Sequence, residues 1–291
     1  MKFGLFAINY GTCADPEIAV RVAQHAETVG FESVWTGEHL VLPDPQPANL
    51  RLPPTLPLLD TVVALSVVAA NTSTITLASG IIQLPLRNPV VLAKELASLD
   101  VVSGGRLVVG VGAGYVATEF DAVGVSMTER GGRMDDYIDA MRALWSMDHP
   151  HHDGPFVSFT GLNTHPRPVQ RPGPPIVIGG ESPGALQRAI TRGNGWYGFN
   201  IDPPLARDCI DALAKLAGEH ERPPGLGELE LTITPVGTLD HATVEHYEQL
   251  GIHRLVLLPQ PDADREHRHA PVPVDRIIRN IDAVADAFIN P

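Results

Sequence analysis

The sequence predicts an α/β protein that folds as a closed (β/α)8, TIM-like barrel with an insertion after the fourth unit. Apolar runs alternate with helix-like segments along nearly all 291 residues, giving about eight strand–helix units, the number in such a barrel. The apolar runs are continuous rather than alternating, which is typical of parallel strands buried on both faces. A chain of this length fits one such domain, so we expect residues 1–291 to form a single barrel.

Helix-start signals set the boundaries of several predicted units. Asp15 is a good N-cap and Pro16 a good first residue, so a helix begins there and ends near Gly30. Pro89 opens another helix, and Ser182 with Pro183 begins a third. The predicted strands are, in chain order, 3–9, 33–36, 74–82, 106–112, 174–180, 195–200, 228–237 and 253–259. The predicted helices are 16–30, 59–70, 89–103, 130–145, 183–193, 204–219, 240–251 and 274–288.

The segment at about 148–174 is irregular and rich in Pro, Gly and His, which identifies it as the insertion. The sequence FVSFTG within it predicts a short hairpin. Histidines also occur in the runs DHPHHDG, at 148–154, and EHRH, at 266–269. Because metal-binding histidines usually occupy rigid elements at helical or strand spacing, we expect both runs to be solvated loops and expect no metal site.

The composition argues against several classes of function. There are 21 Lys and Arg against 34 Asp and Glu, a net charge of −13 that disfavours binding to nucleic acid or to anionic membranes. The two cysteines are too few for a disulfide framework or a thiolate metal cage. A signal peptide and a bilayer-spanning apolar stretch are both lacking. We therefore expect a cytoplasmic protein that acts on a small molecule.

A glycine motif after the fourth predicted strand raises the question of dinucleotide binding. Gly112, Gly114 and Ala117 fit the pattern G-x-G-x-x-A, which binds a pyrophosphate in Rossmann folds. There the motif follows the first strand, whereas three strand–helix units precede it here. We interpret the glycines as the exit of the fourth strand, where bare backbone lets a flat group approach closely. A Rossmann-type nicotinamide dehydrogenase with an open sheet is the alternative.

Polar residues and glycines collect where the predicted strands end, and in a barrel these ends meet at the side that carries active sites. They are Asn9, Tyr10, Glu38, His39, Gln83, Gly112, Gly114, Tyr115, Gly179, Gly180, Glu181, Asn200 and Asp202. His39 is a candidate for proton transfer near neutral pH. Residues 179–184 lead into a helix start whose free N–H groups suit a phosphate. Arg130 and Arg133 are candidates to reach that phosphate, with surface arginines as the alternative.

Several motifs in order resemble one known family. They are WTGEHL, GIIQLPLRNPVVLAKELASLD, SGGRLVVGVGAGY, TEFDAVGV, ERGGRMDDYIDAMRALW and PPIVIGGESPGALQRAI, and they extend over essentially the whole chain. The chain resembles the bacterial luciferase-like flavin family and, within it, the oxidoreductases that use the deazaflavin coenzyme F420. The resemblance implies a luciferase-like barrel and a homodimer.

The resemblance also implies a role for the strand-end residues. A non-prolyl cis peptide between Gly80 and Ile81 would form a bulge behind the ring of the cofactor. His39 and Glu38 would be the catalytic residues beside its reactive centre. Tyr115 stands where F420-dependent glucose-6-phosphate dehydrogenases carry a catalytic Glu, which argues against sugar-phosphate chemistry. The cofactor-binding candidates are Gly80, Ile81, Gly112, Gly114, Tyr115, Gly179, Gly180, Glu181 and Ser182, with the backbone of Gly179, Gly180 and Ser182 at the phosphate.

The resemblance implies an F420-dependent oxidoreductase that moves a hydride between the deazaflavin C5 and a small organic substrate. The Pro-rich segment 43–57 would cover that substrate. One alternative is a monooxygenase that uses reduced FMN and O₂. An alternative of another class is a barrel that binds a flavin without turnover.

Overall fold

The computed structural model describes residues 1–47, 50, 52–259 and 272–290. Its strands are β1 (Lys2–Leu5), β2 (Ser33–Trp35), β3 (Thr76–Ala78), β4 (Ile82–Gln83), β5 (Leu107–Gly112), β6 (His152–Asp153), β7 (Ser158–Phe159), β8 (Ile176–Gly179), β9 (Gly195–Ile201), β10 (Glu230–Pro235) and β11 (Arg254–Leu257). Its helices are α1 (Pro16–Thr28), α2 (Thr61–Asn71), α3 (Pro89–Ser103), α4 (Ala117–Val123), α5 (Arg130–Ser146), α6 (Pro183–Arg192), α7 (Pro203–Glu219), α8 (His241–Gln249) and α9 (Val274–Val284). The EHRH run at 266–269 lies outside the described residues.

Parallel strands close into the predicted barrel, with the helices around it. The order around the barrel is β1, β2, β3, β5, β8, β9, β10 and β11, and β11 pairs with β1 to complete the circle. β1 and β8 therefore lie on opposite sides of the barrel. The predicted fold class is confirmed. The Rossmann alternative, which requires an open sheet, is wrong.

The third barrel strand is interrupted instead of running continuously over 74–82. Ser79, Gly80 and Ile81 form a bulge between β3 and β4. Ser79 Oγ donates to the Gly110 carbonyl at 2.9 Å and accepts from the Gly110 N–H at 2.8 Å, which attaches the bulge to β5. The expectation of a cis peptide bond between Gly80 and Ile81 is wrong, because cis bonds among the described residues occur only before proline. The bulge is held instead by the two hydrogen bonds between Ser79 and Gly110.

The helix starts predicted from capping residues are confirmed. Asp15 Oδ1 accepts from the N–H groups of Glu17 and Ile18 at 2.9 and 3.3 Å, where α1 begins. Ser182 Oγ accepts from the Ala185 N–H at 3.3 Å, where α6 begins. By contrast, α4 has no counterpart among the predicted helices. It is only 7 residues long and its N-cap, Val116, offers no side-chain acceptor.

The insertion contains a hairpin of β6 and β7 that begins earlier than the FVSFTG sequence and is fastened to α5. His152 Nε2 lies 2.7 Å from Asp136 Oδ1, and Asp136 Oδ2 accepts from the N–H groups of Phe156 and Val157 at 2.9 and 3.0 Å. The expectation of a solvated loop is therefore wrong for His152, which is half-buried within a strand.

Apolar side chains pack in two places. A large cluster fills the space between the barrel and its helices, and a smaller one fills the barrel interior. In the smaller cluster Trp35 stacks on Tyr197, with ring centroids 5.1 Å apart. Across the described ranges, no helix combines the length and the apolar character that a bilayer crossing requires.

The amino ends of the strands are closed by a charged group of residues that we call the lower cluster. Arg254, only 2% exposed, donates to Glu32 at 2.7 and 2.8 Å and to Glu230 at 3.1 and 3.2 Å. It also donates to Thr232 Oγ1 at 3.1 Å, and Lys2 donates to Glu230 at 2.8 Å. Burial lowers the pKa of Arg254, but the two carboxylates outweigh burial and raise it.

Candidate active site

A cavity of about 660 Å³ opens at the carboxyl ends of the barrel strands. Its volume is within the usual range for small-molecule and cofactor sites. The predicted site residues that line it are Glu38, His39, Gly80, Ile81, Gly112, Gly114, Tyr115, Gly179, Gly180, Glu181 and Ser182. The structure thus brings all of them to one cavity.

His39 is held by a buried carboxylate. His39 Nδ1 lies 2.9 Å from Glu119 Oε2, and Glu119 Oε1 accepts from the Leu40 N–H at 2.8 Å. Burial raises the pKa of Glu119, but hydrogen bonds from His39, Gln83 and Leu40 outweigh burial and lower it. An ionised carboxylate can only accept, so His39 Nδ1 carries a hydrogen, and Nε2 is the ring nitrogen left for a ligand.

Gln83, at the end of β4, completes this arrangement. Its Nε2 donates to both oxygens of Glu119 at 3.0 Å. The reverse orientation would place Gln83 Oε1 against a carboxylate, so the amide is fixed. Gln83 Oε1 lies beside Gly114, where an added Cβ would be 2.8 Å away. This buried oxygen has no hydrogen-bond partner within the described part of the chain, and such a group calls for an explanation such as a ligand.

Glu38 lines the cavity, but its carboxylate is already engaged. Oε2 accepts from the Gln83 N–H at 2.6 Å, and Oε1 accepts from Arg87, which also donates to Asp60 at 2.6 Å. Burial raises the pKa of Glu38, and the charge of Arg87 opposes that rise. Glu38 therefore ties the end of β2 to the segments that carry Gln83 and Arg87.

Asn9 fixes the turn that leads into His39. Its Nδ2 donates to the carbonyls of Gly37 and Leu59, both at 2.8 Å, and its Oδ1 accepts from the Gly37 N–H at 2.9 Å. Asn9 is fully buried. Both backbone groups of Gly37 are therefore clamped two residues before His39.

The glycines at the exits of β5 and β8 make room for Ile81. A Cβ at Gly112 would lie 2.6 Å from Ile81 Cγ2, and a Cβ at Gly179 would lie 2.5 Å from Ile81 Cδ1. A group in the cavity therefore meets the Ile81 side chain here, which corrects the expectation of bare backbone. Gly180 is a glycine for another reason, a φ of +110°.

The helix start after β8 forms the other end of the cavity. The Gly180 N–H donates to the Tyr197 carbonyl at 3.1 Å, so it is already used. Two arginines line this end, Arg130 at the start of α5 and Arg188 on α6. Arg188 Nε donates to Asp135 at 2.7 Å.

Of the two arginines considered in the sequence, Arg130 lines the cavity and Arg133 does not. Arg133 donates to Glu129 at 2.8 Å and lies over the ring of Phe156. Two contributors were not singled out in the sequence. Glu119 lies inside the TEFDAVGV motif, but nothing in that motif distinguishes it from its neighbours. Arg188 follows the capped start of α6 by about one and a half turns.

Comparison with known proteins identifies the family. The family model of luciferase-like monooxygenases matches residues 1–270. The chain therefore belongs to the luciferase-like monooxygenase family. It is an enzyme of a family whose members are oxidoreductases or monooxygenases.

Individual relatives differ in their cofactors. An uncharacterized protein of Mycobacterium tuberculosis is 33% identical over 218 residues, covering 70% of this chain and 76% of that one. The oxygenase component of a flavin-dependent trigonelline monooxygenase from Acinetobacter baylyi is 30% identical over 176 residues, 60% of this chain and 46% of that one. The solved structure of an F420-dependent secondary alcohol dehydrogenase in complex with an F420–acetone adduct has a TM-score of 0.77 and 18% identity, over 99% of this chain and 98% of that one. The proteins similar to this chain in sequence or in fold thus include both flavin-dependent and F420-dependent enzymes.

Proposed function

We propose that the chain is an F420-dependent oxidoreductase that catalyses hydride transfer between the deazaflavin C5 and a small organic substrate. The observation that carries the proposal is the cavity at the carboxyl ends of the strands, where His39, Ile81 and the start of α6 face one space. When bound, the deazaflavin supplies the hydride chemistry, and the protein supplies orientation and electrostatics.

The residues present fit a flat ring with a phosphate tail. Ile81 offers an apolar surface over the ends of β5 and β8. The unpartnered Gln83 Oε1 suits a donor at the edge of a ring. At the other end, the positive pole of α6 together with Arg130 and Arg188 suits a phosphate. Ser182, the N-cap of α6, would orient that helix start.

His39 is the proposed proton donor or acceptor, acting at Nε2. Glu119 holds the Nδ1 hydrogen and thereby fixes the tautomer and the orientation of the ring. For Glu38 we propose a positioning role, because its carboxylate is occupied by Arg87 and the Gln83 N–H.

A monooxygenase that uses reduced FMN and O₂ is the second candidate. It is favoured by the 30% identity to the flavin-dependent trigonelline monooxygenase. The same cavity would hold FMN, whose ring and phosphate have the same arrangement. The two candidates differ in which cofactor binds more tightly and in whether O₂ is consumed.

Equilibrium binding of F420 and of FMN tests both candidates. We expect F420 to bind at least about tenfold more tightly than FMN, a difference of about 1.4 kcal/mol. His39→Ala should retain F420 binding within about fivefold but lower hydride transfer by about 100-fold, since it removes only proton transfer. His149→Ala, at an exposed position of the insertion, is the matched control.

Tighter binding of FMN with O₂ consumption would favour the monooxygenase. Failure of both cofactors to bind would contradict both candidates. Tight F420 binding without any hydride transfer would favour the non-catalytic barrel.

We also propose a cytoplasmic homodimer formed through α2 and α3. These neighbouring helices carry three outward apolar side chains, Val63, Val91 and Val102, each more than half exposed. Apolar groups on neighbouring helices favour association with a second copy. Light scattering should give twice the 31.2 kDa chain mass, and Val63→Lys should shift the mass towards that of one chain. A wild-type mass of one chain would contradict the proposal.

A further inference from the structure

One side of the cavity is formed by a short segment that presents leucines inward. In residues 52–58, which we call the leucine segment, burial alternates along the chain. Leu52, Leu56 and Leu58 line the cavity, whereas Thr55 and Pro57 are exposed. A turn closed by the Leu56 N–H, which donates to the Pro53 carbonyl at 2.9 Å, leaves Thr55 exposed and Leu56 at the cavity.

The leucine segment is held in place by backbone pairing with the exit of β1. Leu58 forms an antiparallel bridge with Tyr10, and the Gly11 N–H donates to the Pro57 carbonyl at 2.9 Å. The Leu59 N–H donates to the Asn9 carbonyl at 2.9 Å. The leucine segment is therefore preorganised, so little conformational entropy needs to be lost when a ligand contacts it.

Aromatic rings form the wall beside it. The Phe6 ring lies 6.0 Å from that of Tyr10, edge to face, and 5.0 Å from that of Phe199. All three line the cavity. Together with the leucine segment they enclose what we call the apolar chamber, at the exit of β1.

Outside the apolar chamber, charged groups line other parts of the cavity. Arg130, Arg188 and Glu181 line it near the exit of β8, which is across the barrel from β1. Glu38 and Asp60 share the guanidinium of Arg87. Tyr10, Glu38 and His39 are the titratable side chains that line the cavity at the exits of β1 and β2, and the Glu38 carboxylate is already engaged by Arg87 and the Gln83 N–H.

From this separation we infer that the apolar chamber binds the body of an uncharged, mainly apolar substrate whose single polar group meets His39. A charged group in the chamber would lose its hydration without gaining a partner, whereas apolar surface is favoured there. Leu52, Leu56 and Leu58 are then specificity-determining residues. The inference depends on the proposed function only for placing the reacting group at His39.

A pair of isosteric probes tests the inference without turnover. Cyclohexyl methyl ketone and cyclohexanecarboxylate have nearly the same shape and differ in charge. Their binding is measured by ligand-observed NMR, both with F420 and without it. We expect the ketone to bind at least about tenfold more tightly in the wild type, because the carboxylate remains unpaired in the chamber.

Two substitutions on opposite faces of the leucine segment make the test specific. Leu56→Arg places a cation in the chamber and should bring the two affinities together or reverse their order. Thr55→Arg adds the same charge to the exposed face and should leave the preference unchanged. Leu52→Arg repeats the test at a second inward position, and Leu56→Met keeps the volume and should keep the preference.

The outcomes separate this inference from the proposed function. Equal or tighter binding of the carboxylate by the wild type, or equal effects of Leu56→Arg and Thr55→Arg, would overturn the inference even if F420 binds. Absence of F420 binding together with the expected ketone preference would overturn the proposed function and leave the apolar chamber established.

Discussion

The two ends of the barrel both bury charge, but they do so in different ways. In the lower cluster, Arg254 donates five hydrogen bonds to Glu32, Glu230 and Thr232. At the opposite end the His39–Glu119–Gln83 group borders a cavity of about 660 Å³ and leaves Gln83 Oε1 without a partner. A network in which every polar group is paired stabilises the fold, whereas an unpaired acceptor beside a cavity marks a candidate ligand site. Substitutions in the lower cluster should therefore change the free energy of unfolding alone, whereas substitutions at the cavity should also change ligand binding or the state of His39.

The largest effect on stability is expected at the lower cluster. Arg254→Met leaves Glu32 without its cation and Glu230 with Lys2 alone, so the free energy of unfolding should fall by about 3 kcal/mol. Urea denaturation measures this loss, and F420 binding should be unchanged. Arg21→Met, at an exposed pair with Asp275, is the control and should change stability by less than about 0.5 kcal/mol. A similar loss in both variants would contradict the proposed difference between the two ends.

Gly112→Ala tests whether Ile81 really occupies the ends of β5 and β8. The new Cβ would lie 2.6 Å from Ile81 Cγ2, and we expect a loss of about 2 kcal/mol from overpacking. The double variant with Ile81→Ala should recover most of it, since the clash is removed. Both variants should also weaken F420 binding, unlike Arg254→Met.

Gly218→Ala is the matched control, because a Cβ there meets nothing within 4 Å. This helical position should gain up to about 1 kcal/mol. A loss at Gly112 that Ile81→Ala does not relieve would disprove the packing explanation.

Glu119→Gln should change the state of His39 with a smaller effect on stability, about 1–2 kcal/mol. The amide no longer fixes a hydrogen on His39 Nδ1. ¹⁵N chemical shifts of the ring should show one tautomer in the wild type and a mixture in the variant. A mixture already present in the wild type would argue against the carboxylate–histidine arrangement.

The smallest effect, about 1 kcal/mol, is expected at Glu27, where α1 ends. Its carboxylate accepts from the N–H groups of Ser73, Thr74 and Ile75 at 2.8, 2.6 and 2.9 Å. Burial acts to raise the pKa of Glu27, but these bonds outweigh burial and lower it from 4.5 to about 2.

The folded-state pKa of Glu27 is thus below the unfolded one, so its contribution is present above about pH 4.5 and is lost as the pH falls towards 2. The difference in unfolding free energy between the wild type and Glu27→Gln should therefore shrink over that range. A difference that stays constant from pH 6 to pH 2.5 would refute this explanation.

The fold could be predicted because its signals are local. Continuous apolar runs and the caps at Asp15 and Ser182 each depend on a few neighbouring residues. The interruption of the third strand was not predictable in this way. It depends on Ser79 binding Gly110, a contact between residues 31 positions apart.

The sequence predicted where the candidate site lies, but not all of the side-chain contacts that form it. Strand ends identified the cavity and His39. They did not show that Glu119 is turned inward by the uncapped helix α4, because nothing local to TEFDAVGV specifies that direction. Nor did they show that Gly112 and Gly179 are small so that Ile81 fits, since this is a matter of packing between separate segments.

The clamp that Asn9 makes on Gly37 has a consequence for how the enzyme can diversify. The turn before His39 is anchored by Asn9, and the His39 ring by Glu119. Neither anchor includes Leu52 or Leu56. Exchange of these two side chains should therefore leave the His39 ring in place, so that under the proposed function substrate range and proton transfer can be inherited separately.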